Sequence, residues 1–151
     1  MKPLIALALW LAAVPAAAQP PEKIQLALEV ESVGAPADAA TTLQNDIRTG
    51  LSAASDVAVI PRAAARRIVR VIVTASDGVY GVSLLVTEQY DRPTLMILGI
   101  EDDDLAERMM RLQIVNEHLG FSGRDLSEIG RRVVAALDDG LLRALRSLRK
   151  Q

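Results

Sequence analysis

Hydrophobic and polar positions alternate with period two near the start of the chain. Ile24, Leu26, Leu28 and Val30 are interleaved with Gln25, Ala27, Glu29 and Glu31, which predicts a strand with one buried and one wet face. Gly34 and Pro36 mark a loop over 32–37. Asp38 is placed to cap a helix by accepting from amides of its first turn. Ala39, Leu43, Ile47, Leu51 and Ala54 then recur at helical spacing as a narrow apolar stripe. Gly50 sits on or beside that stripe, where it costs about 1 kcal/mol relative to Ala; close approach to a sheet is a reason to place it there. A short strand at 57–60 ends at Pro61.

The next strand, 68–75, carries Val69, Val71 and Val73 on one face, and Ser76-Asp77-Gly78 is a tight-turn signal. Tyr80, Val82, Leu84 and Val86 alternate on the return strand. Asp91-Arg92-Pro93 reads as a further turn, and the nearly continuous apolar run at 94–100 as a strand covered on both faces. These three strands in succession predict an antiparallel meander.

Residues 101–121 admit two readings. Leu105, Met109, Leu112 and Leu119 fit a helix stripe, whereas Met110, Leu112 and Ile114 alternate with Arg111, Gln113 and Val115 as in a strand. The reading adopted is a helical turn at 103–108 followed by a strand to about 119. The closing element is a helix: Asp125 and Glu128 resemble a capping pair, and Leu126, Ile129, Val133, Leu137, Leu141, Leu145 and Leu148 keep helical spacing. Leu137, Leu141 and Leu145 are expected on one buried line. The fold class is thus α+β, a single mixed, mostly antiparallel sheet of five or six strands with two helices packed on one face. One α+β domain at 19–151 accounts for the pattern, with no repeat or linker.

Residues 1–18 have a different character. Lys2 precedes the apolar run 4–14, Pro15 breaks it, and Ala16-Ala17-Ala18 supplies small residues before Gln19. This is the layout of a cleavable signal peptide, and the run is short of the roughly 20 residues that span a bilayer. Export to the periplasm with cleavage before Gln19 is expected, leaving no integral membrane segment. Trp10 leaves with the signal, so Tyr80, Tyr90 and Phe121 are the remaining aromatics.

Composition narrows the chemistry. The 151 residues are 50% hydrophobic and 24% charged with a formal net charge of −2, so no global cationic field draws nucleic acid to the chain. Cysteine is absent and histidine occurs once, which removes disulfides, thiolate chemistry and multi-histidine metal cages. No cofactor or metal site is expected. The acidic run at 101–104 lacks the alternating spacing of a calcium loop and suits the positive end of a helix. His118 is the one possible imidazole base, with Glu117 beside it and Ser122 and Asp125 nearby, but no Gly-x-Ser-x-Gly elbow accompanies it. No catalytic residue is therefore assigned.

Two basic patches stand out: Arg62, Arg66, Arg67 and Arg70, and, on the closing helix, Arg143, Arg146, Arg149 and Lys150. The second is the candidate interaction surface, although cations at a helix carboxyl end also have a structural role. No aromatics interleave with either patch, which argues against single-stranded nucleic acid.

The segment 42–61, Thr-Leu-Gln-Asn-Asp-Ile-Arg-Thr-Gly-Leu-Ser-Ala-Ala-Ser-Asp-Val-Ala-Val-Ile-Pro, together with the preceding strand, resembles the helix-to-strand unit of periplasmic α/β accessory domains. That group includes the amino-terminal domain of the Tol–Pal propeller protein and the curli-export and penicillin-binding-protein-activator lipoproteins. Here no cysteine follows the signal and no propeller follows the domain. The resemblance implies a docking or assembly role and transfers no binding residue. The resulting expectation is a non-enzymatic periplasmic binding or assembly module of the bacterial cell envelope, with an envelope protein as partner and its oligomeric state open. The alternative is a small periplasmic hydrolase using His118 with Glu117 or Ser122.

Overall fold

The computed structural model describes residues 22–149; the expected signal peptide at 1–18 and Lys150 lie outside them. Strand β1 (Ile24–Ser32) leads into helix α1 (Ala37–Ser52) and strand β2 (Val57–Val59). Strands β3 (Arg67–Ser76) and β4 (Val79–Glu88) follow, then two short helices, α2 (Arg92–Ile97) and α3 (Asp103–Met110). Strand β5 (Ile114–Gly123) and helix α4 (Leu126–Leu137) come next. A π turn (Asp138–Leu142) then joins α4 to helix α5 (Arg143–Leu148).

The strands form one mixed five-stranded sheet in the order β2-β1-β3-β4-β5, an α+β arrangement. β1 is parallel to both β2 and β3, while β3–β4 and β4–β5 are antiparallel. Two strand pairs are of each kind, but the antiparallel ladders are much the longer, so most facing residues are antiparallel; the parallel pairs arise because α1 carries the chain back to run alongside β1. β2 pairs with 24–26 on one edge of β1 and β3 with 27–32 on the other. The segment 60–66 thus crosses β1 between them, and Ala27 is the small residue beneath it, buried with Ala65 and Ile68 against Ile60.

One main core gathers the alternating set of the strands with the stripes of α1 and α4. Leu26, Leu28, Val69, Val71, Val73, Val82, Leu84 and Val86 join Leu43, Ile47 and Leu51 of α1 and Ile129, Val133 and Leu137 of α4. The period-two and period-3.6 patterns of the sequence meet in this cluster. Asp38 does not cap α1; Pro36 holds the N-cap position and Asp38 lies in the first turn, where its charge still suits the helix dipole.

Gly50 is explained by a helix, not by the sheet. A Cβ built there would lie 2.7 Å from Val134 Cγ2, so α1 and α4 cross where one has no side chain. Gly130 answers from α4, its Cβ position 3.1 Å from Asp46 Cβ.

The run at 94–100 is not a strand. Asp91 caps α2 through Thr94 N–H, a proline occupies its first turn, and Gly99 at φ 79° ends it. A capped proline start favours helix over the strand that hydrophobicity alone suggests. The strand antiparallel to β4 on its far side is β5 instead, so α2 and α3 interrupt the meander.

The closing helix is interrupted as well. After Ile129, Val133 and Leu137 the next buried residue is Leu142, with Leu141 and Leu145 only partly buried. The π turn inserts one residue and shifts the stripe. Gly140 sits within it, its Cβ position 3.0 Å from Glu117 Oε2.

Candidate functional site

The side chains of β5 alternate between the two faces of the sheet, which separates the residues named for hydrolysis. Leu119 and Phe121 pack against the main core, and Glu117 shares their face, near Gly140 under the π turn. His118 points the opposite way. Its cross-strand neighbour is Leu85, and its Nε2 lies 2.8 Å from Ser83 Oγ on β4. Ser122 is on the His118 side but four residues along the strand, about 13 Å away, and its carbonyl accepts from Arg132. The structure therefore brings His118 to Ser83, and not to Glu117 or Ser122. Sequence reading missed Ser83 because the β4–β5 register, not proximity in the chain, creates the contact. No carboxylate bonds the other His118 ring nitrogen among the described residues, so the third group that would orient the base is not part of this pair.

The closing arginines are held internally. Arg146 Nε donates to Asp56 Oδ2 at 2.7 Å and Nη1 to Asp138 Oδ1 at 2.6 Å. The hydrogen bond from Arg146 holds the Asp56 carboxyl below its usual range, and Asp56, then Asp138, raises the Arg146 guanidinium further. Arg143 pairs with Asp139 four residues earlier, and Arg149 donates to the Glu22 carbonyl. Thus Arg146 ties the last helix to the loop before β2, and Arg149 ties it to the start of the described chain.

The other basic patch is partnered too. Glu29 receives both Arg62 at 2.9 Å and Arg70 at 3.0 Å, while Arg66 pairs with Asp91 and Arg67 with Glu88. The two patches converge in one respect: Lys23, Arg66, Arg67 and Arg149 line a hollow of about 370 Å³ with Glu22. In the acidic run, Asp102 caps α3 through Leu105 N–H, and Asp103 and Asp104 lie in its first turn. The described residues hold no group of three or more His, Cys, Asp or Glu arranged to take a metal ion. No helix among them is long and apolar enough to cross a membrane.

The feature that sequence reading misplaced is the excursion at 89–113. Its interior needs only Leu95 and Ala106, both fully buried. The three residues after Leu95 face solvent: Met96 is 60% exposed, Ile97 86% and Leu98 58%. Leu105 and Leu112 are exposed on the same excursion. The apolar run read as a doubly covered strand is thus an apolar tip. The capping signal at Asp91 and Pro93 was the clue that could have identified it.

No family model matches the chain, and no curated protein matches it. Among solved structures the chain is similar to a PelC dodecamer from Paraburkholderia phytofirmans at 13% identity. That likeness covers 80% of this chain and 89% of the other with a TM-score of 0.47, a level that carries no functional inference.

Proposed function

We propose that the chain is a non-enzymatic binding or assembly module of the bacterial cell envelope, working in the periplasm after loss of residues 1–18 and docking an envelope protein through the tip at 96–98. The observation that carries this reading is the exposure of Met96, Ile97 and Leu98 in succession. Isolated surface apolar residues are ordinary, but a contiguous apolar projection that the domain's own core does not use is the mark of a contact surface. α1 and α4 are read as one layer on the core face, which leaves the tip outside the domain's own packing. Across 89–113 six carboxylates outnumber three arginines, of which Arg92 pairs with Asp103, so the excursion carries a net negative charge that an anionic lipid surface would repel. The complementary partner is a protein with an apolar groove and a basic rim.

The Ser83–His118 contact favours a second reading, a hydrolase in which His118 takes the Ser83 proton. One experiment separates the two. In a strain lacking its own copy, Ile97→Asp should abolish function while the purified variant keeps the parental melting temperature, and His118→Ala should restore function fully. A folded but inactive His118→Ala or Ser83→Ala, beside a functional Ile97→Asp, would overturn the module and leave the hydrolase.

A further inference from the structure

The two edges of the sheet are not equivalent. β2 has three residues and runs into Pro61, a short edge of the kind that resists pairing. β5 has ten residues, Ile-Val-Asn-Glu-His-Leu-Gly-Phe-Ser-Gly, with no proline and no lysine. Its backbone directions follow from the register. Gln89 N–H donates to the Arg66 carbonyl of the β3 side at 3.0 Å, so the odd-numbered residues of β4 turn their polar groups toward β3. The even-numbered ones, Val82, Leu84 and Val86, turn theirs toward β5 and meet Phe121, Leu119 and Glu117. The N–H and C=O of His118, Gly120 and Ser122 therefore point out of the sheet. Arg132 donating to the Ser122 carbonyl at 3.1 Å confirms that direction. Among the described residues, the outward groups of His118 and Gly120 have no backbone partner.

We infer that β5 pairs antiparallel with β5 of a second copy about a two-fold axis at Gly120, fusing two sheets into one. This surface is distinct from the tip and does not rest on the role proposed for it. In an antiparallel pair the outward groups of facing residues bond reciprocally. Centring the axis on Gly120 sets Gly120 against its own copy and His118 against Ser122 of the other chain. On the opposite face the same register sets Leu119 against Phe121 and Glu117 against Gly123. No like charges meet, a ring nitrogen faces a hydroxyl, and a leucine faces an aromatic, the kinds of cross-strand pair that stabilise a sheet. The surface is self-complementary, as a two-fold interface requires. The Ser122 carbonyl has a second lone pair, so Arg132 need not leave it. Gly120 leaves the centre of the contact clear of side chains.

A Cβ at Gly120 would meet nothing within 4 Å in one copy, so a side chain there is tolerated by the monomer and felt by the pair. The wild-type protein should sediment with the mass of a dimer. Gly120→Lys and Gly120→Glu should each sediment as a monomer with unchanged circular dichroism, because two like charges then face each other at the axis. Mixing the two variants in equal amounts should restore the dimer mass, and Gly120→Thr should keep it. Hydrogen exchange of the wild type supplies the readout that does not depend on any variant folding: the His118 and Gly120 amides should slow as protein concentration rises. A wild-type monomer whose His118 and Gly120 amides exchange freely at every concentration would overturn the inference. So would a dimer that survives both charge variants, or a monomer that accepts a foreign extended peptide at those amides.

Discussion

Gly50→Ala tests the crossing of α1 and α4 with a sign that depends on a single neighbour. In an isolated helix the change is favourable by about 1 kcal/mol. Here the added methyl would sit 2.7 Å from Val134 Cγ2, 3.1 Å from Cγ1 and 3.3 Å from Cβ. Valine in a helix is nearly confined to one rotamer, and rotation would exchange one close methyl for the other, so the helices themselves must separate. Overpacking of this kind costs about 1–3 kcal/mol, which turns the intrinsic gain into a net loss of about 1 kcal/mol. In a Val134→Ala background the obstruction is gone and the same Gly50→Ala change should stabilise by about 1 kcal/mol. The coupling between the two positions is then about 2 kcal/mol, within the range for residues in contact. Urea denaturation of the four proteins measures it, provided the denaturant slopes agree. Equal stabilisation by Gly50→Ala in both backgrounds would show that the helices do not meet at Val134.

Two further outcomes follow from other contacts. The hydrogen bonds from Thr94, hydroxyl first and then amide, with the Arg66 guanidinium adding to them, lower the Asp91 carboxyl to about 2. A folded-state value below the unfolded one gives stability that is complete above the unfolded carboxyl range and lost as pH falls toward 2. Urea midpoints taken from pH 5 downward should therefore fall more steeply in the wild type than in Asp91→Asn, and equal slopes would refute the linkage. Leu142→Ala should cost about 2–5 kcal/mol, as truncation of a buried leucine does, and Leu141→Ala clearly less; the reverse order in thermal unfolding would place the stripe on the uninterrupted line.

The strands and helices that bury one face were legible because alternation and helical spacing record burial directly. β1, β3 and β4, the stripe of α1 and the strand after the helical turn at 103–108 all follow from that record. It failed where hydrophobicity did not mean burial. Met96, Ile97 and Leu98 look like core and lie outside it, and only the Asp91 cap and the proline in the first turn distinguish their helix from a strand. It also failed where geometry is non-local. The π turn that moves burial from Leu141 to Leu142 leaves no signature in the spacing, and Ser83 meets His118 only through the register of two strands. The closing arginines were legible as a group, and the Asp139–Arg143 pair follows from its four-residue spacing, but the contact of Arg146 with Asp56 was not legible, since the two are ninety residues apart.

The β3–β4 hairpin sets an order of events for folding. Asp77 at φ 53° and Gly78 at φ 71° form a two-residue turn whose twist suits the ten facing pairs that follow. Such a hairpin closes in about 1–10 μs without waiting for the rest of the chain. β1 must find β3 across about forty residues, and β5 must find β4 after the excursion closes. The hairpin is the template on which both remaining halves of the sheet assemble, and the chain's folding rate is governed by the slower of those two searches.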